Sequence, residues 1–221
     1  MTRAVLFDFD LTLADSTRAI VECFTHAFEG MELPRPAALD VAKTIGLPLP
    51  QAFVALTGDE TPHAAQVFVK RFIERADEVM TNLTTMLPHT VETLNSLRAS
   101  GVRTAIVSTK FRYRIVEILE LRQLKDAFDV VIGGEDVSEH KPHPEGLKLA
   151  LQRLDVEPHE ALYVGDHPVD AQAAAGANLG FIAVLTGVAV REDFTSYAVR
   201  QFLDSLEMLP RVVAAEGYAI S

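Results

Sequence analysis

Two carboxylates close the first apolar run of this chain: Asp8 and Asp10 stand at the end of Ala4-Val-Leu-Phe-Asp-Phe-Asp10. Side chains of a strand alternate between faces, so both can project to the same side at or just beyond the strand's end. Two like charges at the edge of an apolar core are costly unless a cation or a proton relieves them. A helix cap is the bland alternative, since Asp15-Ser16 begins a helical pattern soon afterwards, but it accounts for a different acid.

Three further segments end in groups that complement such a pair. Val102-Arg-Thr-Ala-Ile-Val107 reads as a strand that delivers Ser108-Thr109-Lys110 ahead of a helical stretch from Tyr113 to Leu121. Phe128-Asp-Val-Val-Ile-Gly-Gly134 leads to His140-Lys141-Pro142-His143-Pro144, an ammonium on a loop stiffened by prolines. Ala161-Leu-Tyr-Val-Gly165 is followed at once by Asp166 and then by Asp170. Open parallel sheets place their working residues just beyond the carboxyl ends of the strands, so these four ends can converge. Carboxylate oxygens of Asp8, Asp10 and Asp166 suit a hard divalent ion such as Mg2+, which shares its shell with water and phosphate. Ser108, the Thr109 amide and Lys141 can hold the remaining phosphate oxygens by charge-assisted hydrogen bonds.

The elements around these motifs divide the chain. The stretch 11–101 between the first and second strands is far too long for a single crossover helix. Thr17 to Phe28, Pro50 to Leu56 and Pro62 to Val79 show apolar positions at helical spacing, broken by Pro34-Arg-Pro36, Gly46-Leu-Pro-Leu-Pro50 and Gly58-Asp59. From Leu87 onward, strand patterns alternate with helical ones.

Length and composition set outer bounds. A chain of 221 residues, 48% hydrophobic, holds one sizeable core plus a small accessory unit. No apolar run approaches the ~20 residues that span a bilayer, and the start does not read as a secretory signal, because aspartates interrupt its apolar run. The single cysteine, Cys23, excludes an internal disulfide and reads as a small core residue of a protein in a reducing, cytoplasmic compartment. A formal charge of -11 argues against nucleic acid or an anionic membrane as partner. An anionic substrate would then depend on local cations, which Lys141, Lys110 and a bound metal supply.

With Phe7-Asp-Phe-Asp-Leu-Thr-Leu-Ala-Asp15, Ser108, Lys141-Pro142 and Gly165-Asp-His-Pro-Val-Asp170 in that order, the chain resembles the haloacid dehalogenase-like hydrolases, within their phosphoglycolate phosphatase-like group. One departure is Leu11, where these phosphatases commonly carry glycine after the second aspartate, which should slightly alter that turn. The resemblance implies an α/β fold: a Rossmann-like parallel-sheet core over residues 1–14 and 84–221, with an all-helical cap, residues 15–83, inserted after the first strand. It implies a Mg2+-dependent phosphatase that hydrolyses a small phosphorylated metabolite, with 2-phosphoglycolate the leading substrate. Asp8 would be the nucleophile that forms an aspartyl-phosphate, and Asp10 the general acid and base. The metal would lie on Asp8, Asp10 and Asp166, with Asp10 using mainly its backbone carbonyl; Ser108, Thr109 and Lys141 would hold the phosphate, and Asp170 would orient Lys141 or a metal-bound water.

Other readings accompany this one. Pyrophosphatases and sugar-phosphate mutases fall under the same resemblance, although Gly165 stands where the hexose-phosphate mutases carry an additional acid. A receiver-like regulatory module also uses an aspartate, a hydroxyl and a lysine at strand ends, but lacks the second acid and the insertion. His140 and His143 flank Lys141 without a thiolate partner and read as caps or solvated loop residues before zinc ligands. Lys110, Arg112 and Arg114 offer cations either to the far end of a substrate or to a solvated helix face. The turn with Gly46 and Leu47 faces a substrate or simply joins two helices. Monomer and homodimer are both open.

Overall fold

The computed structural model describes residues 2–216. Six parallel strands form one sheet in the order β5-β4-β1-β6-β7-β8: β1 Ala4–Phe7, β4 Arg103–Val107, β5 Val130–Ile132, β6 Ala161–Gly165, β7 Gly180–Val184 and β8 Val199–Leu203. All-parallel sheets are covered on both faces, so their central strands read as unbroken apolar runs. In β1, Val5 and Phe7 join one apolar cluster while Ala4 and Leu6 join the other, and Leu162 and Tyr163 of β6 divide in the same way. Helices α7 (Glu145–Leu154) and α8 (Pro168–Gly176) supply buried side chains to the second cluster; α5 (Thr90–Ala99) and α6 (Arg112–Leu121) supply the first.

The chain leaves β1 on a turn rather than as a continued strand. The Asp8 amide donates to the Val164 carbonyl at 2.9 Å, the amides of Leu13 and Ala14 both return to the Phe9 carbonyl, and Leu11 sits at φ 58°. A left-handed backbone at leucine is uncommon, and Leu11 stands where the resembling phosphatases commonly carry glycine. A two-stranded antiparallel ribbon follows, pairing Ala14 with Met86 and Asp15 with Thr85 (β2, Ala14–Asp15; β3, Thr85–Met86). Between its strands lie α1 (Thr17–Gly30), α2 (Ala38–Ala42), α3 (Leu49–Thr57) and α4 (Pro62–Leu83).

Helix α2 lies in a stretch that the prolines mark as a break; five residues are too few to show a period. Helix α1 starts where expected, with Asp15 Oδ1 accepting from the Thr17 amide at 2.8 Å. Phe24, Phe28, Phe53 and Phe72 surround Phe68, with ring centroids 5.0–5.9 Å from it. These buried rings tie α1, α3 and α4 together. Among the described residues no helix is long and apolar enough to cross a membrane.

Candidate active site

The order of the strands makes the site. Strands β4 and β5 lie to one side of β1 and β6 to β8 to the other, so the carboxyl end of β1 is where the winding reverses and side chains from both halves can meet. Asp8 follows β1, Ser108 follows β4, Asp166 follows β6, and Lys141 arrives on the loop before α7. Asp8, Ser108, Lys141, Asp166 and Asp170 are all buried.

Lys141 is the hub. Its Nζ donates to Asp170 Oδ1 at 2.6 Å and to the Tyr163 hydroxyl at 3.1 Å. It also stands 2.9 Å from Asp8 Oδ1, off the line of a hydrogen bond, so that oxygen is buried with no hydrogen-bond donor. An ammonium carries three donors; two are committed and one is left for the space beside Asp8. Burial opposes the Lys141 charge, but the attraction of Asp170 and Asp8 outweighs it and holds the lysine above its ordinary pKa. Asp8 is raised as well, which for a carboxylate disfavours the charge: burial lifts it from 3.8 to about 6, with Lys141 lowering it and Asp170 and Asp10 raising it further. Burial, then Asp170 and Asp8, lifts Asp166 well above the carboxylate range, despite the Thr12 hydroxyl that donates to its Oδ1 at 3.2 Å.

Those shifts describe a group short of positive charge. Asp8, Asp166 and Asp170 each bring an oxygen within 4.8 Å of the others. Three carboxylates against one ammonium leave two negative charges, which one divalent cation cancels. The donors are oxygens only, one of them orphaned, which is the ligand set of a hard divalent cation and not of a softer metal. Backbone packs tightly around it: a Cβ at Gly187 would lie 2.0 Å from Asp166 Oδ2, and one at Gly165 would lie 2.5 Å from Asp170 Cγ.

Asp10 belongs to a different environment. Its Oδ2 pairs with Lys110 Nζ at 3.1 Å, and its Oδ1 is buried without a partner. Both Asp10 and Lys110 line a 280 Å³ cavity between the strand ends and the inserted helices, walled by Ile20, Phe24, Phe72 and Met80. Gly46 and Leu47 line it as well, and the Gly46 carbonyl accepts from Thr109 Oγ1 at 3.2 Å, which ties the end of β4 to the inserted segment. Ser108 Oγ accepts a long bond from the Lys110 amide, 3.4 Å. The basic cluster after β4 divides: Arg112 Nε turns outward to Asp136 at 3.0 Å, whereas Lys110 and Arg114 turn into the cavity wall.

Three site residues escaped the sequence reading. Tyr163 lies inside β6, and its hydroxyl accepts from Lys141 with the Val107 carbonyl 3.0 Å and Asp170 3.1 Å away. A tyrosine in a strand buried on both faces must find a polar partner, and that requirement was the available signal. Thr12 lies within the first motif but gives no sign of its reach to Asp166. His167 caps α8, its Nδ1 accepting from the Val169 amide at 3.2 Å; burial holds its pKa below the ordinary imidazole value, in keeping with a neutral acceptor.

Comparison with known proteins agrees with this geometry. The family model for haloacid dehalogenase-like hydrolases matches residues 5–184. A pyrophosphatase PpaX from Oceanobacillus iheyensis is 34% identical over 182 residues, covering 82% of this chain and 83% of the relative. A phosphoglycolate phosphatase from Salmonella typhimurium is 31% identical over 213 residues, covering 84% and 82%. A crystal structure from Bacteroides fragilis, described as a haloacid dehalogenase-like hydrolase, superposes with a TM-score of 0.92 at 40% identity over 95% of this chain and all of that one. With its strand-end acids, lysine and hydroxyl in the matched span, this chain belongs to the haloacid dehalogenase-like hydrolases.

Proposed function

We propose that the protein is a Mg2+-dependent phosphatase that hydrolyses the phosphate monoester of a small organic alcohol through an aspartyl-phosphate on Asp8. The observation that carries this reading is the division between the two acids of the first motif. Asp8 sits in the Lys141–Asp166–Asp170 group, whereas Asp10 sits apart on the cavity wall with Lys110. One position suits a nucleophile and the other a proton carrier.

Asp8 attacks phosphorus, the bond from phosphorus to the alcohol oxygen breaks, and Asp10 gives its proton to the departing alkoxide. Asp10 then takes a proton from the water that attacks the phosphoryl group, which releases phosphate and restores Asp8. Lys141 holds a phosphoryl oxygen with its uncommitted donor, joined by the Ser108 hydroxyl and the Thr109 amide. Asp170 and Tyr163 keep Lys141 aimed at Asp8. Asp8 and Asp166, with the Asp10 carbonyl, would hold magnesium, which would supply neutralisation of phosphoryl charge. The inserted segment, residues 15–83, acts as the cap that closes the cavity from water.

The relatives carry two names, pyrophosphatase and phosphoglycolate phosphatase. Most of the cavity wall is apolar, with Ile20, Phe24, Phe72 and Met80 among its residues, which favours an organic leaving group over a departing phosphate that would lose its hydration against hydrocarbon. A panel of phosphate monoesters, including 2-phosphoglycolate, assayed beside pyrophosphate with Mg2+ and ranked by kcat/KM, tests the reading. Organic monoesters should rank above pyrophosphate; phosphate release from none of them, or pyrophosphate in first place, would overturn it.

A further inference from the structure

One polar side chain on the cavity wall has no partner in the protein. The others are committed: Thr44 Oγ1 donates to the Val41 carbonyl at 2.7 Å, Thr109 Oγ1 donates to the Gly46 carbonyl, and Lys110 is paired with Asp10. Arg114 is spent on Asp77 and Tyr113, and its remaining Nη1 is sealed from solvent. His140 is the exception. It lines the cavity, is only half-buried, and among the described residues its ring has no hydrogen-bond or charged partner. Neither ring nitrogen is sealed from solvent, so a ligand can reach them.

The position of His140 accounts for that access. With Pro48 and Pro50 of the inserted segment, it is shared between the walls of the 280 Å³ cavity and of an open outer groove of 720 Å³. It therefore stands at the boundary of the two, one residue before Lys141. The ring is set against the end of β5: a Cβ on Gly134 would lie 3.5 Å from His140 Cε1 and 2.6 Å from the Thr109 carbonyl oxygen. His143 differs from it. That residue lines the outer groove and not the cavity, is 52% exposed, and has its Nδ1 4.0 Å from Glu145 Oε2, as a solvated loop residue would.

An imidazole carries at least one N–H donor, and its second nitrogen accepts when unprotonated. A hydroxyl both donates and accepts, so it satisfies the ring in either form. A carboxylate fits this position less well, because the cavity's two cations, Lys110 and Arg114, are already matched by Asp10 and Asp77, and Glu139 lines the outer groove beside His140. We infer that His140 is a specificity-determining residue: it hydrogen-bonds a second hydroxyl of the leaving group, and the preferred substrate is the monophosphate of a diol or polyol rather than of a plain alcohol or a hydroxy acid. This rests on the phosphatase reading above and deepens it. The apolar wall takes the carbon chain, and His140 reads the hydroxyl that the chain carries to the cavity's edge.

The test uses monophosphates of straight-chain terminal diols of increasing length. Each is compared with the alkyl phosphate in which a methyl group replaces the free hydroxyl, and with its carboxylate-ended counterpart. For each protein the readout is the ratio of kcat/KM for the hydroxyl-ended ester to that for its methyl-ended match, which does not depend on how much enzyme is folded. In the wild type the ratio should peak at one chain length at about three- to tenfold, the worth of one neutral hydrogen bond. At that length the hydroxyl-ended ester should also exceed the carboxylate-ended one. His140→Leu should bring the ratio to about one, His140→Asn, which keeps a donor and an acceptor, should recover part of it, and His143→Leu should leave it unchanged. A wild-type ratio near one at every length, a carboxylate-ended ester in first place, or an equal loss in His143→Leu would overturn the assignment while leaving the phosphatase reading intact. So would an equal fall for both esters in His140→Leu, which would place the ring in the service of the phosphate site or the fold. Failure of the wild type to hydrolyse any ester would overturn both.

Discussion

Two regions of this molecule are almost equally dry and are held together by opposite means. At the strand ends, Asp8, Lys141, Asp166 and Asp170 are each no more than 5% exposed and are held by charge. In the inserted helices, Phe24, Phe53 and Phe68 are no more than 1% exposed and are held by ring packing. Removing apolar surface from water is favourable, roughly 25 cal/mol per Å², whereas burying charge is costly even when it is paired. The difference teaches that the second region stabilises the fold, while the first draws on that stability to keep its charges buried together. Substitutions in the two regions should therefore split stability from turnover in opposite directions.

The sharpest split lies at Asp8. Asp8→Asn should abolish turnover by a factor of ~10⁴ or more, since a neutral amide is a poor nucleophile. Without Mg2+ the same variant should unfold at the same temperature as the wild type or higher, because it removes a buried charge that the lone lysine does not balance. Steady-state kinetics beside thermal unfolding checks this. Turnover within about tenfold of the wild type would remove Asp8 as nucleophile.

Phe68→Ala should do the reverse. Truncating a ring that four others surround should cost about 3–5 kcal/mol of stability. The fraction that stays folded at low temperature should keep its Mg2+ affinity, because Phe68 touches none of the strand-end groups. Denaturant melts with Mg2+ titrations of the folded protein decide between this and a shared collapse of both regions.

The contrast also governs what could be read in advance. Ser108 and Asp166 come directly after their strands and Asp8 directly after β1, so the boundary of an apolar run locates each of them. Strand β6 was legible over its full length, from Ala161 to Gly165. The cavity was not, because its walls come from α1, α4 and the loop around Gly46, and only their mutual packing decides which side chains face it. Hence Arg112 and Arg114, two residues apart in one basic cluster, look alike in sequence and differ in fate: one is exposed on Asp136, the other buried against Asp77. Nor does β1 continue far enough for strand alternation to place Asp10 beside Asp8; the turn at Leu11 sends the two carboxylates to different lysines.

Asp166 of the strand-end group and Asp10 on the cavity wall should separate by function. Asp166→Ala should weaken Mg2+ by at least ten- to hundredfold, whereas Asp10→Ala should lose turnover with little change in Mg2+ affinity, its carboxylate being turned to Lys110. Equal weakening in isothermal titration of the two would show their roles to be mixed. A pH dependence accompanies this. Metal ligands must be deprotonated, so Mg2+ affinity should fall as pH drops below about 6, where Asp8 takes a proton. For metal-free protein the sign is opposite. The folded state holds that proton up to about 6 but the unfolded chain only up to 3.8, so stability should decline as pH rises through that window, and Mg2+ should restore it.

The smallest expected effect comes from a residue that belongs to both regions. Leu11 has its backbone in the turn that carries Asp10, at φ 58°, and its side chain, 7% exposed, in the apolar cluster of the first face. Its carbonyl accepts from the Thr186 hydroxyl, which fastens the turn to the loop after β7. Glycine would relieve roughly 1–2 kcal/mol of left-handed strain. It would also forfeit about 1.5–3 kcal/mol of leucine burial and add ~0.5–1 kcal/mol of unfolded-state entropy. The balance predicts that Leu11→Gly destabilises by about 1 kcal/mol, a drop of ~2–4 °C in Tm for a chain of this size, with kcat held within about threefold. Leu11→Asn, which tolerates the turn but cannot fill the apolar site, should be no more stable than the glycine variant. A rise in Tm for Leu11→Gly would mean that the backbone of the turn outweighs its side chain, and that the strand-end region is strained by the apolar cluster rather than anchored by it.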